Sequence, residues 1–257
     1  MASGVERLMG WLTGALSWLL DPANWSGSSG VWARLVEHLG LTAASLGLAC
    51  AVALPVAVWL GHVGRGGALA INVSNVGRAV PTFALLALFS LGPPPLGRST
   101  FSIVLALTLF AIPPIITNTY VGVRGVDREV VEAATGMGMS GFQVLRRVEL
   151  PLAVPLLMNG VRIAAVQIVA TATIAALVAG GGLGRIITSG FTRQNQDQVV
   201  AGALLVGLLA VVVELAFEYL QRRLDPVRAG RLRSVVPRPP GARESAEPGE
   251  AVAAAQP

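Results

Sequence analysis

The sequence predicts an all-α fold, a polytopic integral membrane bundle of about five transmembrane helices, and three observations carry that expectation. Of 257 residues, 53% are apolar and only 13% are charged, about half the ~25% charge of a typical soluble domain. The mean hydropathy is +0.66, and a water-soluble globule of this length needs a polar coat that this chain cannot supply. The apolar residues also collect in uncharged runs, and about 20 such residues cross a hydrocarbon core of roughly 30 Å.

Taken in order, the first run is Leu8 to Leu20. Leu8, Leu12, Leu16 and Leu20 recur every four residues, Trp11 and Trp18 stand beside them, and Asp21-Pro22 stops the run. Thirteen residues are too few to span, so an interfacial amphipathic helix is expected. No small-x-small cleavage site follows it, as a signal peptide would require. Leu39 to Leu60 gives 22 residues without a charge, and Phe101 to Val123 gives 23. Between them, Gly67 to Leu91 is the weakest span: Asn72, Asn75 and Arg78 interrupt it, and Pro81 predicts a break or kink near Arg78. Leu152 to Gly184 holds one charge, Arg162, and Val199 to Phe217 holds only Glu214. Residues 1–34 therefore read as an interfacial or extracytoplasmic segment and 35–224 as the membrane domain. Residues 225–257, rich in Pro, Arg and Glu, read as a disordered cytoplasmic tail.

Arginine placement predicts orientation. With the 124–151 loop, the 61–66 turn and the tail inside, that side carries Arg65, Arg124, Arg128, Arg146, Arg147 and seven arginines from Arg222 to Arg243. The other side carries five: Arg7, Arg34, Arg98, Arg185 and Arg193. The N-terminus is expected outside and the C-terminus in the cytoplasm, in a multi-pass protein of the cytoplasmic membrane.

Several chemistries are poorly supplied. Cys50 is alone and the histidines are His38 and His62, so neither an internal disulfide nor a metal site is expected. All 19 basic residues are arginine. Without lysine there is no Walker A lysine and no Schiff-base chemistry, so the chain is not itself a P-loop ATPase. The arginines are scattered between apolar runs, which argues against nucleic acid. Ser45 and His38 are seven apart on one span, a spacing that proves no nucleophile–base pair. An ion-driven secondary transporter predicts inverted repeats and mid-span carboxylates, and neither is visible.

The loop from Arg124 to Pro151 is 28 residues, too long for a mere connection. Asp127 is the expected N-cap for a helix through Glu132-Ala133-Ala134, which Gly136 and Gly138 end. Ser140 with Gln143 forms a capping box that opens a second helix. Phe142, Leu145 and Val148 are expected on its apolar face, with Arg146 and Arg147 on another. Pro151 starts the next span, where its missing N–H costs nothing. A short amphipathic helix held there is a docking element for something soluble.

Glu132-Ala133-Ala134, three residues, Gly138, nine residues, then Val148-Glu149-Leu150-Pro151 resembles the EAA motif of permease subunits in ABC importers. That motif has a branched aliphatic, any residue, then Leu-Pro at its end; Val148 stands where Ile is commoner. The resemblance covers roughly residues 35–225 and implies a type I importer permease fold. It also implies that the loop enters a groove of a separate ATPase subunit, with Gly138 making the turn and the Ser140–Val148 helix coupling nucleotide-driven closure to the spans. On that reading ATP is bound by the partner, this chain needs no cofactor, and it is a transport subunit rather than an enzyme.

A narrower resemblance, to the glycine betaine/carnitine/choline branch, rests on His38 to Ser45, Val80 to Leu88, Thr117 to Tyr120, Asn159 to Arg162, Gln167 to Thr173 and Gly180 to Gly184. The Pro81-Thr82 pair departs from that branch's commoner Pro-Ser but keeps the hydroxyl. The implied partners are an ABC ATPase, a second permease copy or paralogue, and an extracytoplasmic substrate-binding protein, all at a lipid membrane. A permease for amino acids or another small solute is the alternative.

Arg78, Pro81, Asn118, Asn159, Arg162, Gln167 and Thr171 are the candidates for a translocation path or gate, with Thr173 beside them. Polar groups in a span should face protein or water; for the neutral ones the alternative is interhelical hydrogen bonding, worth about 0.6 kcal/mol on average. Arg162 either serves a gate or an interhelical contact, or snorkels to the interface. Glu214 and Glu218 read most simply as a solvated helix end. Quaternary ammonium ions are held in aromatic cages, yet 5% of the chain is aromatic and four of five tryptophans precede Leu35. High-affinity capture therefore belongs to the separate binding protein.

Overall fold

The computed structural model describes residues 4–67, 72, 77, 80–178 and 180–224. Its helices are α1 (Gly4–Leu20), α2 (Val31–Val63), α3 (Thr82–Ser90), α4 (Thr100–Arg124), α5 (Arg128–Gly136), α6 (Gly141–Val144), α7 (Leu150–Val178), α8 (Gly184–Thr192) and α9 (Gln196–Leu224). A π turn, Leu145–Glu149, joins α6 to α7. Among the described residues four continuous helices are long and apolar enough to cross a membrane: Val31–Val63, Thr100–Arg124, Gly141–Val178 and Gln196–Leu224. Within the expected Gly67–Leu91 span, Pro81 is the N-cap of α3. Asn75 and Arg78 lie outside the described residues, as does the tail from residue 225.

Small side chains set the spacing of the bundle. Ala49 and Ala53 on α2, Ala106 and Ala111 on α4, and Ala164, Ala172 and Ala175 on α7 are fully buried in one cluster with Leu41, Leu86, Ile103, Leu107, Ile115 and Ile168. In a membrane, where lipid is as apolar as leucine, close van der Waals approach between small residues drives such packing. Gly160 shows how close: a Cβ there would lie 2.8 Å from the Asn118 Cβ and 2.9 Å from the Pro114 carbonyl oxygen. Gly122 on α4 meets α7 in the same way, with Leu156 and Ala153 as neighbours.

Three helix boundaries differ from the sequence reading. α2 begins at Val31 rather than Leu39, so Arg34, Glu37 and His38 belong to it and the 34/35 boundary falls inside a helix. The Leu152–Gly184 run is not one helix: α7 stops at Val178, and the chain turns through Gly180, Gly181 and Gly182 before α8. Gly182 takes φ +75°, which only glycine adopts freely. At its other end the helix reaches back to Gly141, well before Pro151.

α1 packs against α9, with Ala15 fully buried and Gly14 seated on the Asp197 carboxylate. Val5, Met9, Leu12, Leu16 and Leu20 recur every three or four residues on its exposed face. Asp21 ends the run as expected, its Oδ1 accepting the Ala23 N–H at 2.9 Å in a short 3₁₀ turn.

Candidate functional site

The 124–151 loop is built from local capping chemistry. Asp127 Oδ1 accepts the Glu129 N–H at 2.9 Å and opens α5. On α5 the Glu132 and Ala133 side chains are exposed while Ala134 is buried. Gly138 then reverses the chain at φ +87° with nothing within 4 Å of where a Cβ would point. Glycine is required there by the backbone and not by crowding. The Gly138 and Met139 N–H groups donate to the Thr135 and Ala134 carbonyls, closing the end of α5. At Ser140 both halves of a capping box form: the Ser140 N–H donates to Gln143 Oε1 at 2.8 Å, and the Gln143 N–H donates to Ser140 Oγ at 3.4 Å.

On the second helix the exposed residue and the inward residues separate clearly. Phe142 is 70% exposed, Leu145 and Val148 are half-buried, and the inward residues are Val144 and Glu149. The cause is the π turn, whose Leu150 N–H donates to the Leu145 carbonyl, five residues back. Over that turn, residues five apart share a side, which aligns Val144 with Glu149. Leu150 and Pro151 begin α7 without a break, both half-buried. The second helix of the loop and the span are one continuous helix, Gly141–Val178.

Glu149 is 3% exposed and its carboxylate pairs with the Nδ1 of His62 in the last turn of α2. Neither residue stood out in the sequence. The available signal was a carboxylate immediately before a span's first Leu-Pro, since a charge buried there requires a partner.

Farther along α7, three of the predicted polar residues are brought together. The Asn118 side-chain NH₂ donates to the Pro114 carbonyl at 2.8 Å; Asn159 donates to Asn118 Oδ1 at 3.0 Å; and Arg162 donates to Asn159 Oδ1 at 2.9 Å. Arg162 Nε also lies 3.5 Å from Glu214 Oε1 on α9. The relay joins α4, α7 and α9, and Glu214 is a bridging partner rather than only a solvated helix end. Gln167 and Thr171 sit beyond it on α7, half-buried and buried respectively, and Pro81 caps α3, so none of these joins the relay. Arg78 lies outside the described residues.

At the opposite end of the bundle, α2 holds the glycine turn. The Gly182 N–H donates to Glu37 Oε2 at 2.9 Å, and Glu37 also pairs with Arg34 at 2.8 Å. His38 is fully buried; Leu183 N–H donates to its Nδ1 at 3.3 Å, and its Nε2 meets the Val169 carbonyl at 3.1 Å. An N–H can only donate, so Nδ1 accepts and the ring proton sits on Nε2. Segments that the sequence showed as separate stretches, around residues 38, 169 and 182, are one hydrogen-bonded unit.

The family of binding-protein-dependent transport system inner membrane components matches residues 47–226. The carnitine transport permease protein OpuCB of Listeria monocytogenes is 37% identical over 190 residues, spanning 74% of this chain and 86% of that protein. The choline transport system permease protein OpuBB of Bacillus subtilis (strain 168) is 33% identical over 202 residues, spanning 79% and 92%. Among solved structures, an inward-facing conformation of the MetNI methionine ABC transporter superposes with a TM-score of 0.65 at 25% identity, covering 76% of this chain and 96% of that one. A capped loop feeding straight into a span, an all-helical membrane bundle and relatives matched over most of their length lead to one conclusion: the chain belongs to the binding-protein-dependent inner membrane components, the permease subunits of ABC importers.

Proposed function

We propose that this permease subunit passes quaternary-ammonium osmoprotectants (glycine betaine, choline or carnitine) inward across the cytoplasmic membrane, driven by a separate ATPase. The observation that carries the mechanism is the continuity of Gly141–Val178, because a push on the loop is delivered to α7 without a flexible joint. Glu132, Ala133, Ala134, Gly138, Ser140, Phe142, Leu145, Leu150 and Pro151 form the ATPase-coupling loop. Exposed Met137 and Phe142 give it an apolar tip suited to a groove. The substrate class rests on what the relatives are named for transporting.

In this reading residues 35–224 are the permease domain, 124–151 faces the cytoplasm, and the tail from 225 lies on the same side. The 1–34 segment lies outside, with the apolar stripe of α1 against lipid. Two permease copies or paralogues share the pathway and two ATPases dock below. ATP is bound by those subunits and this chain carries no cofactor. Closure of the ATPases draws the loops together and the permease halves rock outward, whereupon an extracytoplasmic binding protein delivers substrate. Arg78, Pro81, Asn118, Asn159, Arg162, Gln167 and Thr171 are assigned to the path or its gate, with the relay from Asn118 to Arg162 the best-organised part.

The test is purification of the importer from its native membrane, reconstitution in liposomes, and measurement of ATP hydrolysis with its binding protein and glycine betaine, choline or carnitine. Stimulation by one of these, with uptake of the same solute, is the expected result. Uptake by the permease with no ATPase bound overturns the mechanism, and stimulation only by amino acids overturns the substrate class.

A further inference from the structure

We infer that the His62–Glu149 pair is a strut that carries movement of the loop into α2, making both of them positioning residues of the transport cycle; this rests on the coupling reading of the loop given above. The loop drives α7 directly through the unbroken Gly141–Val178 helix. No such covalent continuity reaches α2, which is capped at Gly64, 77 positions before Gly141. His62 supplies the missing connection. Its Nδ1 engages the buried Glu149 carboxylate, and its Nε2 lies 3.5 Å from the point where a Cβ on Gly141 would sit. One imidazole thus pairs with the last residue of the π turn and lies alongside the first residue of α6. Helical side chains lean toward the N-terminus, which lets Glu149 reach back along the π turn to the same ring.

The π turn makes this geometry possible. Its five-residue register points Glu149 inward beside Val144. The pair is also directional and hard to bypass: the carboxylate is only 3% exposed, so separating it from the ring leaves a buried charge without its partner. α2 in turn packs along both α4 and α7, so displacement of His62 reaches the core through Gly61, which is seated on Val123. The position of Glu149 in the motif is the one where any residue is accepted, so this strut is a property of this chain and not of the motif.

The test uses the whole importer, purified with its ATPase and reconstituted with its binding protein and radiolabelled glycine betaine, choline or carnitine, whichever stimulates hydrolysis. Glu149→Gln and His62→Ala are compared with the swapped double variant, His62→Glu with Glu149→His. In each single variant the ATPase subunit is expected to stay bound at wild-type stoichiometry while solute moved per ATP hydrolysed falls about tenfold, as for other residues that carry coupling between sites. The swap is expected to restore roughly half or more of that ratio, since a reversed pair rebuilds the contact. An unchanged ratio in both single variants overturns the strut, and so does loss of the ATPase that the swap fails to restore. Should the single variants not fold, the swap alone decides: coupled transport supports the strut and uncoupled hydrolysis overturns it. Gly138→Trp is run in parallel. If that variant keeps both its ATPase and full transport, the coupling reading fails on its own account, whatever the strut variants do.

Discussion

Arg162 on α7 and Glu214 on α9 face each other, Nε to Oε1 at 3.5 Å, at matching depths in two antiparallel helices. From Arg162 to the end of α7 at Val178 is 16 residues, and from Gln196 to Glu214 is 18. At 1.5 Å per residue these are about 24 and 27 Å, slightly less than a hydrocarbon core of roughly 30 Å. With the Val178 and Gln196 ends at one face of such a slab, the pair falls near the other, within reach of water or headgroups, and beyond it α9 turns polar through Glu218, Gln221, Arg222 and Arg223. Position near the boundary explains how a charged pair is accommodated; the hydrogen bond to Asn159 on the same helix, itself bonded to Asn118 on α4, explains why the Arg162 head is held in place rather than released to snorkel.

Arg162→Ala and Glu214→Gln are predicted to differ. Glu214 is close to half exposed, and an exposed pair contributes only about 0–1 kcal/mol. Arg162 additionally holds Asn159 in the relay, a charge-assisted bond worth about 1.5–3 kcal/mol. Thermal unfolding of the purified subunit in detergent should fall by several degrees for Arg162→Ala and by little for Glu214→Gln. Equal losses would show that the ion pair, and not the relay, is the stabilising contact.

Gly160 and Gly207 make a matched test of packing. A methyl on Gly160 meets Asn118 and the Pro114 carbonyl below 3.0 Å, whereas Gly207 has nothing within 4 Å. Overpacking against backbone costs about 1–3 kcal/mol, so Gly160→Ala should lower the unfolding midpoint and separate α4 from α7. Gly207→Ala should be neutral or stabilise slightly through helix propensity, worth up to about 1 kcal/mol. The same midpoint measurement checks both.

At Gly138 the space is open and the backbone is the constraint. Left-handed φ costs an ordinary L-residue roughly 1–2 kcal/mol, and less for Asn. Retention of the ATPase on affinity purification should therefore rank Gly138 above Asn, Asn above Ala, and Ala above a β-branched Val. A ranking by side-chain volume instead would mean that the side chain meets the partner's surface.

What the sequence made legible here were features set by neighbours in the chain. The uncharged runs follow from the solvent, and the Asp127 cap and the Ser140–Gln143 box follow from unsatisfied N–H groups at helix starts. Features set by contacts across long separations were not legible. The π turn sets Glu149 inward, against His62, 87 positions earlier. α2 starts at Val31, ahead of its uncharged run, since Glu37 and His38 are satisfied by Gly182 and Leu183, 145 positions later. A 3.6-residue pattern carries no trace of either.

His38 supplies the last test, because it separates hydrogen bonding from packing at the far end of the bundle. The Leu183 N–H ends on His38 Nδ1, in surroundings where both residues are buried. His38→Leu fills much of the space but leaves that N–H unpaired, at a cost of about 1–3 kcal/mol. His38→Gln can present a carbonyl oxygen to the same N–H and should recover part of the loss. Gly182 restricts any compensating shift: a Cβ there would sit 2.8 Å from Nδ1, so the turn cannot close further onto α2. Modification of a cysteine placed at Ser189, with Cys50→Ala as background, reports whether the turn and α8 stay docked. Faster labelling in His38→Leu than in His38→Gln is expected; equal rates would mean that the ring acts by volume alone and that the hydrogen bond to Leu183 is incidental.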